Sequence, residues 1–280
     1  MAEWLTRYIA TRPLTAKAAY QLRRSCQLLD DWLGYAPDVD EIDEVRLSEW
    51  LGSLERQYSA RYVANHRAHV LGVLRLAADA GVRAEPRPRL IRRVNIPPPD
   101  PVAWTAREFA ALLSATAKLK GKVRSRPRIT RSHYLATMIS AAFDTGARLG
   151  DLRRLEHDWI SRDGVVRFRI SKTAAPHVAQ LSQRSVELIA GIPYPRPLKW
   201  QDKSVEYYAL WREACAAAGI PYGATQQVRR TAATVVWRDD PAAVQRFLGH
   251  RTSTMWRHYV DTLQGTKPVR PREFWRQDDS

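Results

Sequence analysis

Apolar residues recur at helical spacing over most of this chain. Leu22, Cys26, Leu29 and Leu33 follow one another at steps of four and three, with Trp32 widening the stripe, and this predicts an amphipathic helix over residues 15 to 33. A short helix is predicted over Leu47 to Gln57. A longer one over Ser59 to Ala80 places Tyr62, Val63, His66, Val70, Leu74 and Ala77 on one side and is stopped by Gly81. Because His66 lies among apolar neighbours, a buried and satisfied histidine is expected there. These three helices predict a small all-helical domain over residues 1 to 85. Six prolines then fall between Pro86 and Pro101, and such a run continues neither a helix nor a central strand. Residues 86 to 102 are therefore expected to be a linker.

Thr105-Ala106-Arg107-Glu108 has the form of a capping box and opens a helix carrying Phe109, Leu112 and Leu113. A second domain is expected to begin here, from residue 103. After a loop with seven cations from Lys118 to Arg131, another apolar helix is predicted from His133 to Phe143, ending at Asp144-Thr145-Gly146. Residues 165 to 170 alternate apolar and basic as a half-buried strand does, and the chain is extended again near His177 to Leu181. Lys172 then falls at or near a hairpin. Helices follow over about 182 to 190, 202 to 218, 225 to 237 and 241 to 248, with a short one reaching Tyr259. The pattern thus predicts a mainly α chain with one small β-hairpin, its second domain spanning residues 103 to 265 and a tail over 266 to 280.

Charge narrows the choice of partner. The chain has 280 residues, and its 45 Lys and Arg against 29 Asp and Glu give a net charge of +16, which favours a polyanion, most commonly nucleic acid. From Arg83 to Arg131 there are 13 cations and three acids, with nothing in the segment to balance them. DNA contact is expected from Arg92, Arg93, Lys118, Lys120, Lys122, Arg124, Arg126 and Arg128, because displaced counterions reward such clustering. Two distant cysteines, Cys26 and Cys215, exclude a disulfide framework and a zinc signature. No apolar run approaches the length of a membrane span, and the first apolar stretch is interrupted by Glu3 and Arg7. Residence in the cytoplasm is expected, without membrane association. No P-loop, dinucleotide turn or carboxylate cluster is present, so neither a metal nor another cofactor is expected.

Candidate chemistry lies in the second half. Arg148 and Asp151 are three residues apart and, on a helix, face the same way; taken alone, they read as a surface ion pair. Gln226-Gln227-Val228-Arg229-Arg230 opens a helix, where free backbone N–H groups and arginine together suit a phosphate, and Arg230 is a further candidate for DNA contact. Leu248-Gly249-His250 is followed nine residues later by Tyr259, an arrangement that would hold a phenol beside an imidazole.

Taken in this order, these residues resemble the tyrosine recombinase family, the phage-integrase type of site-specific recombinase. Thr145 to Leu152 is similar to the family's first arginine box, which assigns Arg148 to the scissile phosphate and Asp151 to a supporting role. Lys172 falls where the family has its hairpin lysine, Arg229 matches the second arginine, His250 the histidine of the Leu-Gly-His box and Tyr259 the nucleophile. The resemblance implies a helical core-binding (SAM-like) domain followed by a catalytic domain. It also implies double-stranded DNA as substrate, a 3′-phosphotyrosine intermediate needing neither metal nor ATP, and a homo-oligomer on DNA, monomeric when free and tetrameric in synapsis. A bacterial or phage-encoded integrase is the expectation.

One position departs from the family. Three residues before the second arginine, where histidine is usual, stands Gln226, which can hydrogen-bond a phosphate oxygen but cannot transfer a proton at neutral pH. Two other readings use the same residues: a DNA-binding protein of this fold that has lost catalysis, and a nicking-closing enzyme resembling type IB topoisomerases. Phe274 and Trp275 in the polar tail are expected to dock on a neighbouring protomer.

Overall fold

The computed structural model describes residues 1–98, 100–249 and 255–262; His250 and the 266–280 tail, both given roles above, lie outside the described residues. The chain falls into two compact units, with the boundary after Pro98.

The first unit has four helices: α1 (Ala2–Ala10), α2 (Ala16–Leu33), α3 (Glu44–Glu55) and α4 (Ala60–Asp79). Each of the last three starts where a short polar side chain accepts the orphan N–H of the first turn: Thr15 from Ala18, Asp43 from Arg46 and Ser59 from Tyr62. α2 stops at Gly34, which adopts the left-handed conformation. Trp50, Leu29, Leu47, Leu51, Val63, Val70 and Leu74 fill the core. α1 is a correction to the sequence reading, which predicted three helices. Its stripe of Trp4, Leu5 and Tyr8 is too short for periodicity to carry, and its place is fixed by contacts: the terminal amine donates to the Pro37 carbonyl at 2.7 Å, and Tyr8 sits on Gly72 so closely that a Cβ there would fall 2.5 Å from its hydroxyl.

The proline-rich stretch also differs from a free linker over its first part. Ile91 is buried in the first unit's core, the Arg92 N–H donates to Ser48 Oγ at 2.9 Å, and Arg67 on α4 donates to the carbonyls of Pro88 and Arg92. Proline forbids a helix, but one apolar anchor and borrowed acceptors suffice to lay an irregular strand on a helical face.

The second unit opens with α5 (Ala106–Thr116), whose capping box is complete between Thr105 and Glu108. Strands β1 (Lys122–Val123) and β2 (Arg126–Thr130) form an antiparallel pair where the sequence predicted a cationic loop. α6 (Arg131–Thr145) is buried nearly all round from Tyr134 to Ala142 and serves as the central rod of the unit. The short α7 (Leu149–Leu152) follows, then the hairpin of β3 (Val165–Arg169) and β4 (Pro176–Gln180), in register from Val165–Gln180 to Arg169–Pro176. α8 (Gln183–Ala190), α9 (Ser204–Ala218), α10 (Thr225–Asp239) and α11 (Ala243–Phe247) complete the helices, and a 3₁₀ turn, Met255–His258, leads to Tyr259. No helix among the described residues is long and apolar enough to cross a membrane.

Candidate active site

The site is assembled at the N-terminal part of α10, where Gln226 and Arg229 lie three residues apart on one face. Arg229 is 1% exposed, a burial no free guanidinium tolerates. It is held by carbonyls at two chain turns: Nη1 donates to Gly146 and Nη2 to Leu248, the latter at 2.9 Å. One side chain thereby ties α10 to the end of α6 and to the end of α11. Gly146 permits this, with a φ of +58° and the Phe247 ring so near that a Cβ would meet it at 2.5 Å.

Directly after this turn, Arg148 is the N-cap residue of α7. The predicted face-to-face pairing with Asp151 does not form. Asp151 is buried and its Oδ1 instead accepts the Ser171 N–H at 2.8 Å, because the helix is only one turn long and its carboxylate points to the β3–β4 turn. This bond locks the turn carrying Lys172 to the arginine box. Lys172 itself is exposed and enters no ion pair among the described residues.

Tyr259 is brought under the arginines from the chain's far end. Its ring centre is 4.7 Å from the Arg229 guanidinium carbon. Two anchors fix it: Trp256 packs on Trp237 with centres 4.1 Å apart, and after it Val260 enters a small core with Ala233, Val244 and Leu248 while the Asp261 N–H donates to Thr234 Oγ1 at 2.9 Å. Arg148 and Gln226 both act on the phenol and favour its ionised form. Burial alone would raise its pKa, but the charges of Arg229 and Arg148, aided by the donors of Arg148 and Gln226, outweigh burial and hold it below the ordinary tyrosine value. Arg229 is pulled down to about 10, first by burial and then by the charge of Arg148, against the opposing pull of Tyr259 and Asp151. It remains a cation at neutral pH. Arg148 Nη1 is buried without an acceptor among the described residues, a donor not yet used by the protein.

The predicted residues thus divide. Arg148, Arg229, Gln226 and Tyr259 converge; Asp151 and Lys172 are linked to them through one backbone bond. His177 was missed. It is buried, its Nε2 donates to the Thr145 carbonyl at 2.8 Å, and Gly249 lies so close that a Cβ would stand 3.2 Å from its Nδ1. Burial lowers its pKa, aided by Arg229 and Arg148, so the ring is neutral. Alternation along β4 predicts that His177 faces inward, and no other sequence signal marks it.

The cations expected to meet DNA also divide. Lys118, Lys120, Lys122, Arg128 and Arg93 are exposed. Arg124 is exposed and lies 3.5 Å from Glu206, Arg92 pairs with Glu55 at 2.7 Å, and Arg230 is half-buried beside Gln227. Arg126 is a correction: at 2% exposure its Nη1 and Nη2 donate to the carbonyls of Pro197 and Arg196, both at 2.8 Å, so this guanidinium is spent inside the unit. The first position of β2 turns it inward, which a reading as loop could not foresee.

No family model and no curated protein matches the sequence. Solved structures do. A lambda integrase dimer bound to a COC′ core site superposes with a TM-score of 0.75 at 17% identity, over 96% of this chain and 80% of that one. A Tn1549 transposon integrase in complex with a circular intermediate DNA gives 0.72 at 15% identity, over 92% and 94%. A lambda integrase tetramer bound to a Holliday junction gives 0.71 at 18%, over 91% and 78%. At the level of the fold, the resemblance read from the sequence is therefore present.

Proposed function

We propose that this protein with the integrase fold is a site-specific DNA recombinase that cleaves and rejoins strands through a phosphotyrosine link at Tyr259. The observation that carries the reading is the convergence of a phenol of lowered pKa with two arginines at the end of a buried helix. A phosphodiester resists attack because its anionic oxygens repel a nucleophile, so fixed positive charge at those oxygens is the first requirement of a catalyst. Arg148 and Arg229 supply it, and their planar forks suit phosphate geometry. The Tyr259 oxygen attacks phosphorus, its proton passing to a base, for which His250 is the nearest candidate in sequence; the bond to the 5′ oxygen breaks, and Lys172 protonates the departing oxygen. A 5′ hydroxyl from a second duplex reverses the step, so the broken strand's bond energy is retained. Asp151 keeps the Lys172 turn against the arginine box. The fold's solved relatives include a dimer and a tetramer on DNA, and assembly of four protomers on paired sites, from free monomers in the cytoplasm, belongs to the same proposal.

Gln226 favours one second reading, a DNA binder of this fold without catalysis, because no titratable base occupies its place beside the phenol. Incubation with a duplex nicked so that the leaving strand diffuses away separates the two. A covalent protein–DNA adduct is expected from the wild type and none from Tyr259→Phe. An inactive wild type that binds DNA would establish the second reading. Relaxation of supercoils lacking any recombination site would instead favour a nicking-closing enzyme.

A further inference from the structure

The cations of residues 83 to 93 are alike in the sequence, and the fold treats them unequally. Arg83 and Arg87 lie in the field of Glu44, and Arg92 is paired with Glu55. Arg89 and Arg93 instead line, with Arg67, Ala64, Pro88 and Val94, a cleft of about 350 Å³ that neither Arg83 nor Arg87 lines. No ion pair among the described residues reaches any of these three arginines. Arg67 is not a freely solvated surface cation: Nε and Nη2 are fixed on the carbonyls of Arg92 and Pro88 at 3.2 and 3.0 Å, which leaves three of its N–H donors unspent. Burial, then the charges of Arg75 and Arg93, press its pKa down.

Gathering like charges around a half-buried guanidinium opposes folding, and a nearby carboxylate would relieve it at little cost. The same unit places such carboxylates against Arg83, Arg87 and Arg92 but none here. We propose that Arg67, Arg89 and Arg93 form a clamp for a phosphodiester group of the DNA backbone, distinct from the catalytic arginines. This rests on the DNA reading above and adds to it a defined contact, in which Arg67 is the pre-set fork and the other two close on the phosphate oxygens.

The test uses the full chain and a fluorescent duplex, with affinity followed against salt. Arg89→Gln/Arg93→Gln is expected to weaken binding about 10-fold at low salt and to lower the slope of log K against log salt by about 1, the share of one phosphate. Single variants give a matched pair two residues apart: Arg89→Gln is expected to lose about 3-fold, and Arg87→Gln, which removes the same charge beside Glu44, less than 2-fold. Equal losses in that pair, or an unchanged slope in the double variant, would overturn the clamp while leaving wild-type binding, and so the DNA reading, intact. A wild type that ignores the duplex would sink both. Thermal stabilisation of the wild type by inorganic phosphate, absent in the double variant and without any difference on the duplex, would assign the cleft to a small anion and overturn the proposal too.

Discussion

Arg126 and Arg229 are built alike and serve different ends. Each is almost wholly buried, each gives Nη1 and Nη2 to two backbone carbonyls, and each lies 4.7 Å over a tyrosine ring, Tyr194 in one case and Tyr259 in the other. The difference is in what else is present. Arg126 is surrounded by carbonyls and aromatic rings. Arg229 has a second guanidinium, Arg148, acting on the same phenol, and that phenol is drawn toward ionisation. A buried arginine bound to carbonyls is thus a structural device in itself. The candidate chemistry comes from the second cation and from a tyrosine that both can reach.

The comparison is broken most completely by removing one oxygen. Tyr259→Phe is expected to abolish covalent capture on a nicked duplex while DNA affinity stays within about twofold, whereas Tyr194→Phe is expected to leave capture unchanged. Denaturing gels read both. Next in size, Arg148→Gln is expected to slow cleavage about 10²- to 10³-fold, the usual loss for one donor at a developing anion. The same variant carries a pH signature. Tyr259 ionises below the ordinary value of 10.0 in the wild type, so its tyrosinate absorbance is expected to rise at lower pH than that of exposed tyrosines and to move up when Arg148 is lost. Since the folded pKa is depressed, the contribution of this group to stability is largest above the unfolded value and fades as pH falls through the folded one.

Arg126→Met tests the other half of the pair. It leaves two buried carbonyls without donors and is expected to lower stability by about 1 to 3 kcal/mol in urea unfolding, with cleavage per folded molecule unchanged. Loss of cleavage at full stability would mean that the two arginines do not differ as described. A smaller effect concerns Gln226, which touches the phenol beside Arg229. Gln226→Ala is expected to cleave about 5- to 30-fold more slowly, and Gln226→His at a similar or modestly faster rate, since one hydrogen bond of about 1 to 2 kcal/mol is at stake. Equal rates for wild type and alanine would remove Gln226 from the transition state. The smallest effect contrasts arginine, which keeps its proton, with a base that gives it up. His66 is buried on Ser25 Oγ at 2.7 Å, and burial first, then His69 and Arg24, lower its pKa to about 4. Its stabilising effect is complete above about 6.5, the unfolded value, and is lost as pH falls toward 4. Unfolding midpoints in that window are expected to fall less for His66→Gln than for the wild type.

Where helices begin was legible because the signal is local. Thr15, Ser59, Thr105 and Ser182 each cap the helix that the sequence assigned to them, and Gly146 ends α6 at the predicted stop through a conformation that favours glycine. The hairpin around Lys172 was legible from alternation. Less could be read where a short element depends on a distant partner. α1 is held by Pro37 and Gly72, and β1 with β2 is only two and five residues long in a stretch whose charge conceals its pattern.

The sequence by itself determined the longer helices and the β3–β4 hairpin, because caps and periodicity are properties of neighbouring residues, and its resemblance to a recombinase family supplied the candidate set with Arg148, Lys172, Arg229 and Tyr259. Tertiary structure alone decided the state of each cation. Arg126 and Arg229 bind carbonyls 70 or more residues away in sequence or at a turn the helix must reach, Arg92 finds Glu55, and Arg67, Arg89 and Arg93 enter no ion pair among the described residues. Charge is written in the residue, but its compensation depends on distance through space, and a chain fixes such distances only when its helices pack.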